Sequence, residues 1–141
     1  GWRPADRWLR ARYPQVANSV VSPNYLSGAM GTNGMAFLLA ARKKWPDAFI
    51  SETHPKVLLF QLAGIRHDYE GQRDLMDRAL ERALDLRVAP GNDHEWDAAL
   101  SAYAALEGLS GRWKRDLHKL PTAEGQRLIW PAGETEYCWP D

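Results

Sequence analysis

The chain of 141 residues is 45% apolar and 26% charged, which suits one folded domain over residues 1–141 and excludes a disordered or fibrous protein. Because 18 Lys and Arg balance 18 Asp and Glu, general attraction to nucleic acid is excluded, and any nucleic-acid contact is expected to be local. The single cysteine, Cys138, excludes an internal disulfide, and no apolar run has membrane-spanning length, so we expect a cytoplasmic protein without membrane contact.

Helical patterns fill the first part of the chain. Proline in the first turn and another proline just beyond the end predict a helix over Pro4–Tyr13. Residues 17–33 are rich in Ser, Asn, Gly and Pro and predict a long loop. The apolar spacing then predicts a helix over Gly34–Lys44, and a short apolar run predicts a strand over Ala48–Glu52.

Three more helices follow. Pro55 begins the first of them, which Gly64 ends, and apolar side chains at helical spacing predict a surface helix over Asp68–Leu86. The segment Asn92–Glu107 carries a capping Asn, with Glu95 three residues later, as in a capping box. This last helix is rich in alanine, so one of its faces can lie close against a sheet.

The tail predicts a closing hairpin between Arg127–Trp130 and Thr135–Trp139, around Pro131-Ala132-Gly133. Together with the strand that ends at Glu52, the hairpin would form a small sheet. The order of elements therefore predicts a predominantly helical α/β domain with a small sheet.

The acidic side chains suggest a metal site. Glu52 ends the predicted internal strand, and Asp97 lies one helical turn after Asp93, so these two carboxylates point the same way. If the helix packs beside the strand, Glu52 and Asp97 could share Mg²⁺, which takes oxygen ligands. The alternative is structural: an acid in a first helical turn is favourable through the helix dipole, and Glu52 would then face solvent at a strand end.

Two histidines stand beside these acids. His54 precedes Pro55 and can cap the next helix or hydrogen-bond Glu52, and His94 can face the same cleft as Asp97. We expect them to support the metal ligands rather than to bind the metal themselves. A histidine at a helix start is, however, more often a capping or packing residue.

Two motifs follow one another in the chain, "SETHPKVLLFQLAG" (residues 51–64) and "DHEWDAALSAYAAL" (residues 93–106). In this order they resemble an uncharacterised family of predicted ribonuclease-H-like nucleases. The opening "GWRPADRWLRARYP" and the final "RLIWP" and "YCWP" are also similar to segments of that family. The resemblance implies a metal-dependent nuclease in which Glu52 and Asp97 bind Mg²⁺ or Mn²⁺ and Asp93 assists them.

The resemblance is incomplete at the amino terminus. The family's first strands and their catalytic aspartates have no counterpart, since the only acids in residues 1–47 are Asp6 and Asp47. We therefore expect a partial ribonuclease-H-like fold, truncated or shortened at this end, with an incomplete carboxylate set that can leave it inactive. The main alternative is a non-catalytic interaction module that dimerises through an exposed sheet edge or docks on a partner through Trp-rich surfaces. A third reading is a small-molecule or nucleotide binder that uses the Glu52 turn and the predicted loop Gly31–Gly34.

Overall fold

Helices dominate the computed structural model, which describes residues 2–21, 28–127 and 129–141. Within these ranges, the helices and strands are α1 (Pro4–Arg12), α2 (Gly28–Lys44), α3 (Pro55–Ala63), α4 (Arg73–Leu84), α5 (Asp93–Leu109), β1 (Arg115–Asp116) and β2 (Cys138–Trp139). The two strands pair antiparallel. A mostly helical chain with a small sheet is thus confirmed, and the ribonuclease-H-like arrangement stays a prediction.

Local capping signals explain why helices α3 and α5 match the predicted ones. Pro55 occupies the first turn of α3, and Gly64 ends this helix in the left-handed region, with φ of 68°. At α5, the side-chain oxygen of Asn92 accepts a hydrogen bond from the Glu95 backbone N–H at 3.0 Å. The Glu95 carboxylate in turn accepts a hydrogen bond from the Gly91 N–H at 2.7 Å, which fixes the start of this helix.

Two predicted boundaries are wrong. Helix α2 begins at Gly28, and the predicted loop Gly31–Gly34 lies inside it, because each helical glycine costs only about 1 kcal/mol relative to alanine. In the rest of the predicted loop 17–33, residues 17–19 end a 3₁₀ helix over Pro14–Ser19, and residues 20 and 21 belong to no helix or strand. Residues 22–27 lie outside the described part of the chain. Helix α4 begins at Arg73, whereas its predicted start is Asp68.

The sheet differs most from the prediction. The predicted strand Ala48–Glu52 is reduced to a single parallel bridge between Ser51 and Glu136. At the start of this segment, the Arg42 guanidinium donates a hydrogen bond to the Ala48 carbonyl at 2.8 Å. Strand β2 pairs with β1, and the predicted hairpin partner Arg127–Trp130, whose Leu128 lies outside the described residues, is not a strand in its described part.

The core joins α1, α3, α4 and α5 to β2. Its largest fully buried side chains are Trp96, Trp139, Tyr137, Leu9, Leu58, Met76, Leu80, Leu100, Leu117, Val20, Val57 and Cys138. The Trp139 indole N–H donates to the Tyr13 hydroxyl at 3.0 Å, so this buried polar pair is satisfied. Helix α5 approaches β2 closely at Gly108, where an added Cβ would clash with Cys138.

Helix α2 stands apart from this core. Its side chains Phe37 and Leu39 are 70% and 46% exposed. Arg42 anchors its last turn, donating to the carbonyls of Ala132 and Glu134 at 3.0 and 2.9 Å. Neither α2 nor any other helix among the described residues is long and apolar enough to cross a membrane.

Candidate metal centre

Three side chains converge at the start of α5. His67 Nε2 lies 2.9 Å from Asp93 Oδ1 and 3.3 Å from Asp97 Oδ1. One ligand atom from each residue lies within 4.8 Å of the other two, a spacing that could hold a metal ion. The structure therefore brings the predicted pair Asp93 and Asp97 together, and His67 joins them as a third candidate ligand.

The local structure explains this convergence. Asp93 and Asp97 are one helical turn apart in α5, so both side chains lie on the same face. His67 comes from the connection between α3 and α4, and only 6% of its side chain is exposed. Its ring packs edge-on against Trp96 in α5, with the ring centroids 5.6 Å apart. This contact holds the imidazole beside the carboxylates.

The converging atoms have no hydrogen bonds. His67 Nε2, Asp93 Oδ1 and Asp97 Oδ1 are each buried, and none has a hydrogen-bond partner in the described structure. The short His67–Asp93 distance thus brings the atoms close without hydrogen-bond geometry. Buried polar atoms are normally paired, and leaving one unpaired costs about 1–3 kcal/mol. An imidazole nitrogen and two carboxylate oxygens that share one point fit a divalent cation, which would satisfy all three.

The electrostatics of the cluster also fit a cation. Burial raises the pKa of Asp97, and the negative charge of Asp93 raises it further, while His67 and Lys56 act in the opposite direction. Two neighbouring carboxylates resist being ionised together, and a bound cation removes that penalty. A cation at this point would therefore offset the repulsion between the two carboxylates.

Glu52 belongs to a different cluster. Its Oε2 accepts a hydrogen bond from Arg3 Nη1 at 2.7 Å and lies 3.1 Å from His118 Nε2. Burial would raise the Glu52 pKa, but the bonds from His118 and Arg3 lower it to about 2. Arg3 also binds Asp6, at 2.9 Å. Glu52 is thus a carboxylate paired with two cationic groups, and it is not a member of the ligand group that contains Asp97.

The two predicted supporting histidines are not members of the ligand group found among the described residues. His54 Nε2 lies 2.9 Å from the Ser19 carbonyl, and burial lowers the pKa of His54, so the neutral ring donates this bond at pH 7. It occupies the N-cap position of α3 without a capping hydrogen bond. His94 is exposed in the first turn of α5 and is not part of the ligand group.

An open cavity gives access to the centre. It has a volume of about 500 Å³, and its lining includes Lys56, His67, Tyr69, Asn92 and Asp93. The Tyr69 hydroxyl donates to the Pro90 carbonyl at 3.0 Å, which holds this wall against the segment before α5. A small ligand can therefore reach the side of the cluster that carries His67 and Asp93.

Sequence reasoning missed His67, and it paired Glu52 with Asp97, whereas the structure pairs Glu52 with Arg3 and His118. His67 lies in a connection with no periodic pattern, and only the packing of that connection against Trp96 brings it to the acids. The available signal was weak: a histidine just after a helix that Gly64 ends. Comparisons with known protein families, with curated proteins and with solved structures found no match for this chain.

Proposed function

We propose that this protein is a metal-dependent phosphodiesterase of the nuclease type, with one divalent ion between His67, Asp93 and Asp97. The observation that carries the proposal is the convergence of three buried ligand atoms that lack hydrogen bonds. The reaction type comes from the resemblance of residues 51–64 and 93–106 to predicted ribonuclease-H-like nucleases. In that fold family Glu52 would be a metal ligand, whereas here we assign it to the Arg3 and His118 cluster.

The ligand set favours Mn²⁺ over Mg²⁺. Mg²⁺ prefers oxygen ligands and retains several waters, whereas an imidazole nitrogen suits softer first-row ions. Mn²⁺ accepts both the carboxylates of Asp93 and Asp97 and the nitrogen of His67. When bound, such an ion would supply a Lewis acid and a water of lowered pKa. His67 must be neutral to offer its lone pair, and its contact with Trp96 keeps that nitrogen aimed at the acids.

Hydrolysis with Mn²⁺ tests this proposal. Single-stranded DNA, RNA and an aryl phosphodiester would be incubated with the protein and with His67→Ala and Asp97→Asn variants. We expect Mn²⁺-dependent cleavage that falls by roughly 100-fold or more in either variant, since each loses one ligand. Asp74→Asn, an exposed acid in α4, is the matched control and should keep full activity. No cleavage by the folded, Mn²⁺-loaded protein would overturn the reaction type.

Dimerisation is the second candidate function, because apolar side chains on and near α2 are exposed. Phe37 and Ile129 are 70% and 82% exposed, and Trp45 is 55% exposed. Large exposed apolar patches commonly mark protein interfaces. The two-residue strands offer a poor sheet edge, so a homodimer would form through α2. Analytical ultracentrifugation of the protein and of Phe37→Ser would test this: a monomer in both removes the candidate.

A further inference from the structure

Lys56 lies beside the metal centre without belonging to it. It is the second residue of α3, is half-buried, and lines the same cavity as His67 and Asp93. The cavity therefore presents an ammonium group next to the atoms that would hold the ion.

The start of α3 also offers a free backbone donor. Pro55 has no N–H, and the Val57 and Leu58 N–H groups both bond to the His54 carbonyl. The Lys56 N–H has no partner among the described residues, and no side chain caps this helix. An uncapped helix start carries partial positive charge and attracts anions. The His67 side chain in the same cavity is 6% exposed, and its Nε2, which lies within ion-pair distance of Asp93 and Asp97, has no hydrogen-bond partner, which indicates that a ligand belongs there.

We propose that Lys56, through its ammonium group and its backbone N–H, binds a phosphate group of the substrate beside the metal centre. This inference rests on the proposed function and adds a substrate-positioning residue to it. Asp93, Asp97 and the cavity residues Asp68 and Glu70 would repel an anion from the metal-free protein. A divalent ion offsets two of these charges, so phosphate binding should require the metal-loaded protein.

Inorganic phosphate is the probe, and paramagnetic broadening of its ³¹P resonance by protein-bound Mn²⁺ is the measurement. The Mn²⁺-loaded wild type should broaden this resonance saturably, and the metal-free protein should show no phosphate binding by calorimetry. Lys56→Met should weaken phosphate binding by roughly 10-fold, the usual loss for one charge-assisted hydrogen bond, while binding Mn²⁺ at least as tightly. Lys56→Arg keeps the charge and should bind within roughly 3-fold of the wild type. Lys114→Met, which removes an exposed lysine that does not line this cavity, should have no effect.

The outcomes separate this inference from the proposed function. If the Lys56→Met variant is folded, binds Mn²⁺ and broadens the phosphate ³¹P resonance as much as the wild type does, the role of Lys56 is overturned and the metal centre stands. If phosphate binding depends on Lys56 but no phosphodiester is cleaved, the inference stands and hydrolysis fails. If the wild type does not bind Mn²⁺ at all, both are overturned.

Discussion

The pairing of Glu52 with Arg3 and His118 predicts a specific loss of stability in acid. The Glu52 pKa is about 2 in the folded protein, against an ordinary value of 4.5. Because the folded pKa is lowered, the linked stability is fully present above about pH 4.5 and is lost as the pH falls toward 2. In a fully buried carboxyl group, this pKa difference would contribute ~3 kcal/mol to the free energy of unfolding. The Glu52 side chain is 35% exposed, so screening reduces the expected contribution to about 1–2 kcal/mol.

Glu52→Gln isolates this contribution because it keeps the shape of the side chain and removes its titration. Urea unfolding followed by tryptophan fluorescence would give the free energy of unfolding of both proteins at pH 7, 4 and 2.5. We expect the variant to be about 1–2 kcal/mol less stable at pH 7 and to approach the wild type by pH 2.5. Glu124→Gln, an exposed acid, is the control and should show no difference. A gap for Glu52→Gln that stays constant from pH 7 to pH 2.5 would refute the reasoning.

Three further predictions concern other sites. His118, whose bonds to Glu52 and the Thr135 carbonyl outweigh burial, should titrate above 6.5 by NMR, and His54, whose pKa burial lowers, should titrate below 6.5. A His118 midpoint below 6.5, or a His54 midpoint above it, would contradict the corresponding assignment. Gly108→Ala should destabilise the protein by about 1–3 kcal/mol in urea, because its Cβ would clash with Cys138, and a neutral change would show that α5 can shift. Asn92→Ala should lower the free energy of unfolding by about 1 kcal/mol, because it removes the cap of α5. An unchanged free energy would show that water replaces the lost hydrogen bond.

Sequence reasoning located the helices well where their ends depend on neighbouring residues. Pro55 with Gly64, and Asn92 with Glu95, set the limits of α3 and α5 through short-range bonds that a sequence pattern contains. Helix α2 was predicted too short because its glycines were taken as a loop signal, although a helix tolerates them at a modest cost.

The sheet and the site could be predicted only in part, since both depend on contacts between distant residues. Strand β2 was expected to pair with its neighbour in sequence but pairs with β1 instead. The carboxylates Asp93 and Asp97 were predicted from their one-turn spacing, which is a local signal. His67 and the partners of Glu52 were not, because the Arg3 and His118 bonds to Glu52 span 49 and 66 residues. No periodic pattern contains pairings of that range.

Calorimetric titration of Mn²⁺ tests the metal centre most directly. We predict one ion per chain, binding that falls by roughly 100-fold or more in His67→Ala and in Asp97→Asn, and unchanged binding in Glu52→Gln. Circular dichroism would establish that each variant is folded before it is titrated. Binding that survives in His67→Ala but is lost in Glu52→Gln would place the ion with Glu52 and contradict the account.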